Sequence, residues 1–209
     1  MLQDKLEDFE IILASASPRR KQLLDELGIK FKVQIKSIDE NFPAGYPVEK
    51  VAQYLSEIKA AAFLTSEMKP NTLIITADTI VTLGKTILGK PSNYQGAANM
   101  LRNLSGKKHS VITGVTIRTK NKRQSFSAST DVYFKTLTNN EIDYYITTHK
   151  PYDKAGGYGI QEWIGQIAIK KIEGSYFNVM GLPTHKLYEE LLKFVNDEDE
   201  NRSSMFFDL

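Results

Sequence analysis

The stretch Leu13-Ala14-Ser15-Ala16-Ser17-Pro18-Arg19-Arg20 leaves little freedom in what it can fold into. An apolar run ends at Leu13, small residues and two serines make a short loop, and Ser17 can cap a helix whose first residue is Pro18. Proline suits that position, because its missing N–H would have no intrahelical partner and its fixed φ is already helical. The spacing predicts strand, loop and helix in immediate succession. Arg19 and Arg20 fall in the first turn, where free backbone N–H groups and the positive dipole end favour an anion. Two cations there oppose the dipole, so something negative should compensate them, and a polyphosphate is the natural partner. The alternative is a plainly capped helix with solvated arginines.

A chain of 209 residues suits one domain, residues 1–209 with a core at 11–195, and can bury a substantial interior. Net charge is +2, so no overall field draws the chain to nucleic acid or anionic lipid, and any basic site must be local. The absence of cysteine excludes disulfides, thiolate zinc sites and a cysteine nucleophile, and is compatible with a reducing compartment. Residues 1–10 carry Asp4, Glu7, Asp8 and Glu10 without the apolar centre of a signal peptide. No run approaches the ~20 apolar residues of a membrane span. The expected location is cytoplasmic.

Residues 11–14 read as a short buried strand and 18–27 as a helix stopped by Gly28, with Leu23, Leu24 and Leu27 on its inner face. Residues 31–35 alternate as a strand and run into the polar loop Ser37-Ile38-Asp39-Glu40-Asn41. From Pro47 to about Ser66, Val48, Val51, Leu55, Ile58 and Ala62 follow helical spacing. Lys59 then sits at the edge of the apolar face, where a buried stem can carry its ammonium into a cleft. Thr72-Leu73-Ile74-Ile75-Thr76-Ala77 is the strongest strand, apolar enough for the middle of a sheet. Asp78 follows at its carboxyl end, the edge where open α/β sheets bind ligands.

Residues 80–88 read as a hairpin turning near Gly84-Lys85, after which Gly89-Lys90-Pro91 leads to a helix capped by Ser92 with Gln95 as its box partner. Gly84-Lys85-Thr86 is not a phosphate loop, because the glycine required five positions earlier is Thr79. Residues 109–119 and 124–134 suit an antiparallel hairpin whose tip, Lys120-Asn121-Lys122-Arg123, lacks aromatic residues and reads as solvated rather than as a nucleic-acid contact. Thr138 with Glu141 caps a helix to about Thr147. Residues 150–161 form a glycine-rich loop carrying Lys154 and Gln161, of a kind that approaches ligands closely or serves ordinary turns. A strand at 167–172, a loop at 174–183 and a closing helix at 184–195 follow. The acidic tail 196–209 is expected to be mobile, with Met205-Phe206-Phe207 a docking or packing patch.

Set side by side, these segments supply the arginine pair Arg19 and Arg20, the carboxylates Glu40 and Asp78, and the lysines Lys59, Lys90 and Lys154. Magnesium takes one or two carboxylates plus phosphate oxygens, while lysine and arginine neutralise the remaining phosphate charge. Singly, each residue is as readily a cap or a solvated charge. Their common placement at strand-to-helix edges is what points to nucleotide polyphosphate chemistry.

The sequence resembles the Maf family of nucleoside triphosphate pyrophosphatases over residues 11–195. The motifs that carry the resemblance are the opening Leu13 to Arg20 stretch, Ala77-Asp78-Thr79-Ile80-Val81, Gly89-Lys90-Pro91 and Ser105-Gly106-Lys107-Lys108-His109. Asp153-Lys154-Ala155-Gly156 with Tyr158-Gly159-Ile160-Gln161, and Gly174-Ser175-Tyr176 through Gly181-Leu182-Pro183, complete the set in order. The resemblance implies an α/β fold with a mixed central sheet, flanking helices and two lobes around a deep cleft, similar to inosine triphosphatase. It also implies cleavage between the α and β phosphates with a divalent cation, Mg2+ or Mn2+, and a homodimer. By the same resemblance Asp78 is the catalytic proton acceptor and, with Glu40, a metal ligand. Arg19, Thr79 and Gln161 are associated with base selectivity, Lys59 and Lys90 with phosphate, and Ser15, Arg20 and Lys154 join the substrate-binding set.

The Tyr158-Gly159-Ile160-Gln161 loop is similar to the branch acting on dTTP and UTP. Lys150, Tyr152 and Glu162-Trp163 depart from the family pattern, which bears on the rim of the cleft more than on the reaction. Metal-bound water attacking the α-phosphorus in line, with Asp78 orienting and deprotonating it, is the expected chemistry. Two rivals stand beside it. One is a nucleotide- or nucleic-acid-binding regulator of cell division without turnover, against which the near-neutral charge argues. The other is the same hydrolase acting on a purine or on 7-methyl-GTP.

Overall fold

Apolarity fades at Asp78, yet the strand does not stop there. In the computed structural model, which describes the backbone of residues 1–207 and the side chains of 1–197, one strand, β3 (Thr72–Leu83), runs straight through. Asp78 therefore lies mid-strand, not at a carboxyl end. The neighbour explains the difference: β5 (Lys108–Arg118) pairs antiparallel along nearly all of β3, with Asp78 opposite Gly114 and Thr79 opposite Thr113. A polar residue stays in a strand when its backbone groups have a ladder partner.

The other edge of β3 is interrupted. β1 (Glu10–Leu13) runs parallel to β3 and leaves it after Leu13 meets Ile75, while β4 (Thr86–Leu88) joins antiparallel only from Val81. Among the described residues no strand covers β3 between those points. The expected ligand edge survives in this altered form, since Asp78 lies just beyond the carboxyl end of the parallel strand β1.

The sheet is mixed, in the order β2-β1-β3-β5-β6-β7, with β4 on β3. β2 shrinks to Lys32–Val33 instead of residues 31–35, because both residues are exposed at the sheet edge and bury nothing. β6 (Arg123–Phe134) completes the expected hairpin with β5, and β7 (Ile169–Glu173) closes the far edge. The hairpin tip is not wholly solvated: Lys122 Nζ donates to the Phe194 carbonyl and the Asp197 carboxylate, both at 2.9 Å.

Against one face of the sheet lie α2 (Pro18–Glu26), α4 (Tyr94–Leu104), α5 (Asn139–His149) and α8 (Thr184–Phe207), which enclose the main core around Leu24, Ile75, Leu101, Ile117 and Phe194. α3 (Val48–Ala61) covers the other face through Val51, Ala52 and Leu55. Its approach is unusually close. A Cβ on Gly114 would stand 2.2 Å from the Gln53 nitrogen and 2.3 Å from the Ala52 carbonyl, so helix backbone rests on strand backbone. Ser56 fixes the register: its hydroxyl pairs with Thr116 at 2.9 Å and its carbonyl accepts from Thr76 at 2.6 Å.

Three local readings change. The cap of α4 is Asn93 rather than Ser92, its Oδ1 accepting from Gly96 N at 2.8 Å, so the helix starts one residue later and the Gln95 box does not form. The reading of 167–172 as strand gives way to α6 (Trp163–Ala168) followed by β7, and the 174–183 loop contains α7 (Tyr176–Met180). A further short helix, α1 (Leu2–Leu6), buries Leu2 and Leu6. These helices are too short to display a helical period. The Thr138 and Glu141 capping box forms as expected, and Gly28 at φ +71° ends α2. Among the described residues no helix is long and apolar enough to cross a membrane. The side chains of the acidic tail from 198 onward, with the Met205-Phe206-Phe207 patch, lie outside the described residues.

Candidate active site

A cleft of about 460 Å3 lies at the uncovered edge of β3, and every residue expected at the site lines it. One wall is carried by β3 and α3. Lys59, in the last turn of α3, donates to Asp78 and also to Glu40 Oε1 at 2.9 Å. Its side chain is only 17% exposed, in keeping with a place at the edge of an apolar helix face. Glu40 arrives from the loop after β2. The hydrogen bond from Lys59 holds its carboxyl below the usual range against the opposing effect of burial, with Lys90 and Arg20 adding to the same field. Lys90, exposed at the end of the β4 hairpin, faces the cleft without an ion pair among the described residues.

The second wall is carried by the start of α2, the glycine-rich loop and the end of α7. Ser17 caps α2 as expected, accepting from Arg20 N at 3.5 Å. Arg20 then folds back: Nε donates to the Gly181 carbonyl at 2.8 Å, Nη1 to Ser15 Oγ at 3.2 Å, and Nη2 to Thr79 Oγ1 at 2.8 Å. Burial lowers its pKa below the usual guanidinium value, and Asp78 opposes that shift. Arg19 donates to the Met180 carbonyl at 3.3 Å and to Asp153 Oδ2 at 3.2 Å.

The negative charge that two arginines at a helix start require is thus partly internal, supplied by the carbonyl end of α7 and by Asp153. A phosphate is not the only group that satisfies them. Thr79 is also fully engaged. The hydroxyl of Thr113 donates to the Asn178 carbonyl at 3.1 Å, so the 2.9 Å contact between the two threonines must run from Thr79 to Thr113, while Thr79 accepts from Arg20.

Lys154 is buried and forms ion pairs with Asp153 at 2.7 Å and Glu162 at 3.0 Å. Burial pushes Asp153 up, but the hydrogen bonds from Lys154 and Arg19 outweigh it and keep the carboxyl below its usual range. Gln161 faces the cleft at the end of the same loop. Of the substrate-binding set, Arg20 and Lys154 therefore act on protein partners, whereas Lys90 and Gln161 present themselves to the cleft.

Sequence reasoning missed Asp153, Glu162, Tyr145, Thr113 and Asn178. Asp153 sits beside Lys154, and Glu162 follows Gln161 as a departure from the family pattern, so both left a signal. The others left none, because their roles depend on contacts across elements: Asn178 Nδ2, fully buried, ties α7 to the Val111 carbonyl and to Thr130. Among the described residues no group of three or more acidic or histidine side chains could hold a metal. Asp78 and Glu40 nevertheless converge on one cation, the Lys59 ammonium, and a magnesium ion bound mainly through phosphate and water needs no more than two carboxylates.

The family model described as "Maf-like protein" matches residues 10–194. A Christiangramia forsetii protein named dTTP/UTP pyrophosphatase is 50% identical over 196 residues, 94% of this chain and 100% of its own length. Proteins of the same name from Phocaeicola vulgatus and Porphyromonas gingivalis W83 are 54% and 52% identical, each across 91% of this chain and 98% and 97% of their own. A solved chain titled "The structure of the Staphylococcus aureus Ham1 protein" aligns at a TM-score of 0.37 and 14% identity, over 60% of this chain and 71% of that one, too slight a likeness to bear on the fold. The match from β1 into α8 takes in every segment of the cleft, and the chain belongs to the Maf family.

Proposed function

We propose that this protein hydrolyses nucleoside triphosphates, dTTP and UTP foremost, to the monophosphate and pyrophosphate. The observation that carries the reading is Asp78, a carboxylate on an uncovered strand edge that is paired with Lys59 and shares one cleft with Glu40, Lys90, Arg19 and Gln161. Relatives about half identical over nearly the whole chain, named for that activity, support the choice of substrate.

In this reading a water molecule attacks the α-phosphorus, Asp78 orients it and accepts its proton, and the bond to the bridging oxygen breaks so that pyrophosphate departs. Lys59 and Lys90 face the charge that develops on the leaving group, and Arg19 and Arg20 add a fixed positive field. Gln161 offers both a donor and an acceptor to a pyrimidine edge. Thr79, whose hydroxyl is committed to Arg20 and Thr113, acts by fixing Arg20. A divalent cation, Mg2+ or Mn2+, held by Asp78 and Glu40, would neutralise phosphate charge and lower the pKa of bound water.

Pyrophosphate release from a panel of canonical and modified triphosphates, with magnesium, manganese or chelator, tests the proposal. The expected result is fastest release from dTTP and UTP, equimolar monophosphate, and loss with chelator. Orthophosphate as the product, or no release from any triphosphate, overturns it. Fastest release from a purine or from 7-methyl-GTP overturns the substrate assignment alone. The homodimer and the cytoplasmic location expected from the sequence belong to the same reading, and sedimentation of the purified protein checks the first.

A further inference from the structure

Behind the cleft lining a row of polar groups links Arg19 to the turn that carries Gln161, two of the three residues associated with base selectivity. The Gly159 N–H donates to the Tyr145 hydroxyl at 3.0 Å, and that hydroxyl donates to Glu162 Oε2. Lys154 Nζ lies 3.0 Å from Glu162 Oε1 and 2.7 Å from Asp153 Oδ1, and Arg19 Nη1 reaches Asp153 Oδ2 at 3.2 Å. From the rim inward the charges alternate, Arg19, Asp153, Lys154, Glu162, so each ion has a partner of opposite sign. Tyr145 is fully buried, and burial together with the Glu162 carboxylate pushes its hydroxyl up, so it remains a donor.

We propose that Glu162 is a positioning residue for substrate selection: by clamping the turn from Gly159 to Glu162 it fixes where Gln161 presents its amide to the base. The inference rests on the nucleotide reading above. Three observations carry it. Glu162 does not itself line the cleft, whereas Gly159, Gln161, Lys154 and Asp153 do, so its influence is indirect. Its backbone closes the turn, with Glu162 N donating to the Gly159 carbonyl at 3.0 Å, and Ile160 and Gln161 are held between the two. Its carboxylate folds back over Gly159, where an added Cβ would stand 2.8 Å from Glu162 Cδ. Both ends of the turn are therefore tied to one carboxylate, directly on one side and through Tyr145 on the other. A uracil and a cytosine differ in donor and acceptor at one edge, so an amide that wanders loses the distinction between them while still binding both.

The test compares Glu162→Gln, Tyr145→Phe and Gly159→Ala with the unaltered full chain. The primary readout is the ratio of kcat/KM for UTP to that for CTP, and the second is amide hydrogen exchange at residues 159–161 without substrate. The expected result in Glu162→Gln is a fall in the ratio of about tenfold, mainly through KM for UTP, with faster exchange in the turn. Gly159→Ala, which displaces the carboxylate, shifts the ratio in the same direction. Tyr145→Phe keeps the pair with Lys154, gives a smaller shift, and serves as the decisive variant if Glu162→Gln does not fold.

Equal loss of activity on UTP and CTP, or an unchanged ratio with unchanged exchange, overturns the proposal and leaves Glu162 as a plain structural ion pair. An unaltered protein that releases pyrophosphate from no triphosphate removes the functional reading, and this inference with it. An active protein whose variants keep the ratio removes this inference alone.

Discussion

The two walls of the cleft are held by different physics. The wall bearing Asp78 and Lys59 is made of regular elements, a strand in an unbroken ladder and a helix lying backbone to backbone on it at Gly114. The facing wall, bearing Arg19, Arg20, Lys154 and Gln161, is made of a helix start, a glycine-rich loop and the end of a five-residue helix. Hydrogen bonds between residues 161 apart in sequence, Arg19 to Met180 and Arg20 to Gly181, hold it together. On the first wall one ammonium bridges two carboxylates, an arrangement in which an incoming cation and phosphate can exchange partners. On the second the donors are already aligned, so they contribute their field without reorganising when charge develops. Under the proposed function, the difference puts reactivity on the first wall and recognition on the second.

The largest effect expected is at the reactive wall. Asp78→Asn keeps size and shape, removes the proposed proton acceptor, and should lower pyrophosphate release at least about 100-fold while the thermal midpoint moves by only a few degrees. Near-normal turnover would move the base elsewhere and dissolve the division of labour. Gly114→Ala comes next and probes the scaffold rather than the chemistry. Its Cβ would stand 2.2 Å from helix backbone, which cannot swing aside as a flexible side chain can, so α3 must lift and carry Lys59 with it. We expect a loss of about 3 kcal/mol, roughly 10 °C in the unfolding midpoint for a chain of this size. An unaltered midpoint would mean that the close approach is not what seats α3.

The same division explains what the sequence disclosed. Residues whose placement follows from a local rule were legible: Ser17 and Pro18 at a helix start, the Thr138 and Glu141 box, the apolar run through Ile74 and Ile75, and Lys59 at the edge of a helical stripe. All the expected site residues do meet in one cleft. What stayed hidden depends on contacts between distant segments. The strand continues past Ala77 only because β5 supplies a ladder, and nothing near Asp78 announces that partner. Arg20 and Lys154 looked like free cations because their acceptors, Gly181 and Glu162, become neighbours only after the chain closes. Sheet and helices were thus readable from periodicity, whereas the polar wiring of the loop wall was not.

A third measurement bears on that wiring. Arg20 reaches three acceptors in different directions, and a lysine, with one compact ammonium, cannot replace the fork. Arg20→Lys should lose about 2 kcal/mol of interaction, roughly 30-fold in kcat/KM for the preferred triphosphate, with more of the change in KM than in kcat. A fall in kcat larger than the rise in KM would place Arg20 among the reacting groups and blur the contrast between the walls.

The smallest effect separates the walls by pH. His109 is buried behind the glycine-rich loop, its Nε2 2.8 Å from the hydroxyl of Tyr158, a residue of the cleft lining, and edge-on to Phe134 and Tyr158. Its Nδ1 has no hydrogen-bond partner among the described residues. Burial lowers its pKa from 6.5 to about 4, with Asp131 opposing. The unfolded chain takes up this proton near pH 6.5 and the folded chain only near pH 4, so the stability is whole above pH 6.5 and drains away as pH falls through that interval. At about pH 5.5 the loss is about 1.4 kcal/mol, or roughly 4 °C in the unfolding midpoint. Glu40 and Asp153, held below their ordinary 4.5 and 3.8, lose their contributions only in more acid solution, which leaves the upper part of the interval to His109. His109→Gln should therefore flatten the midpoint between about pH 7 and 5.5. In the unaltered protein, protection of amides at residues 155–161 should fall over that range while protection in α3 does not. Equal loosening of both segments, or an identical pH slope in the variant, would show that the two walls stand or fall together.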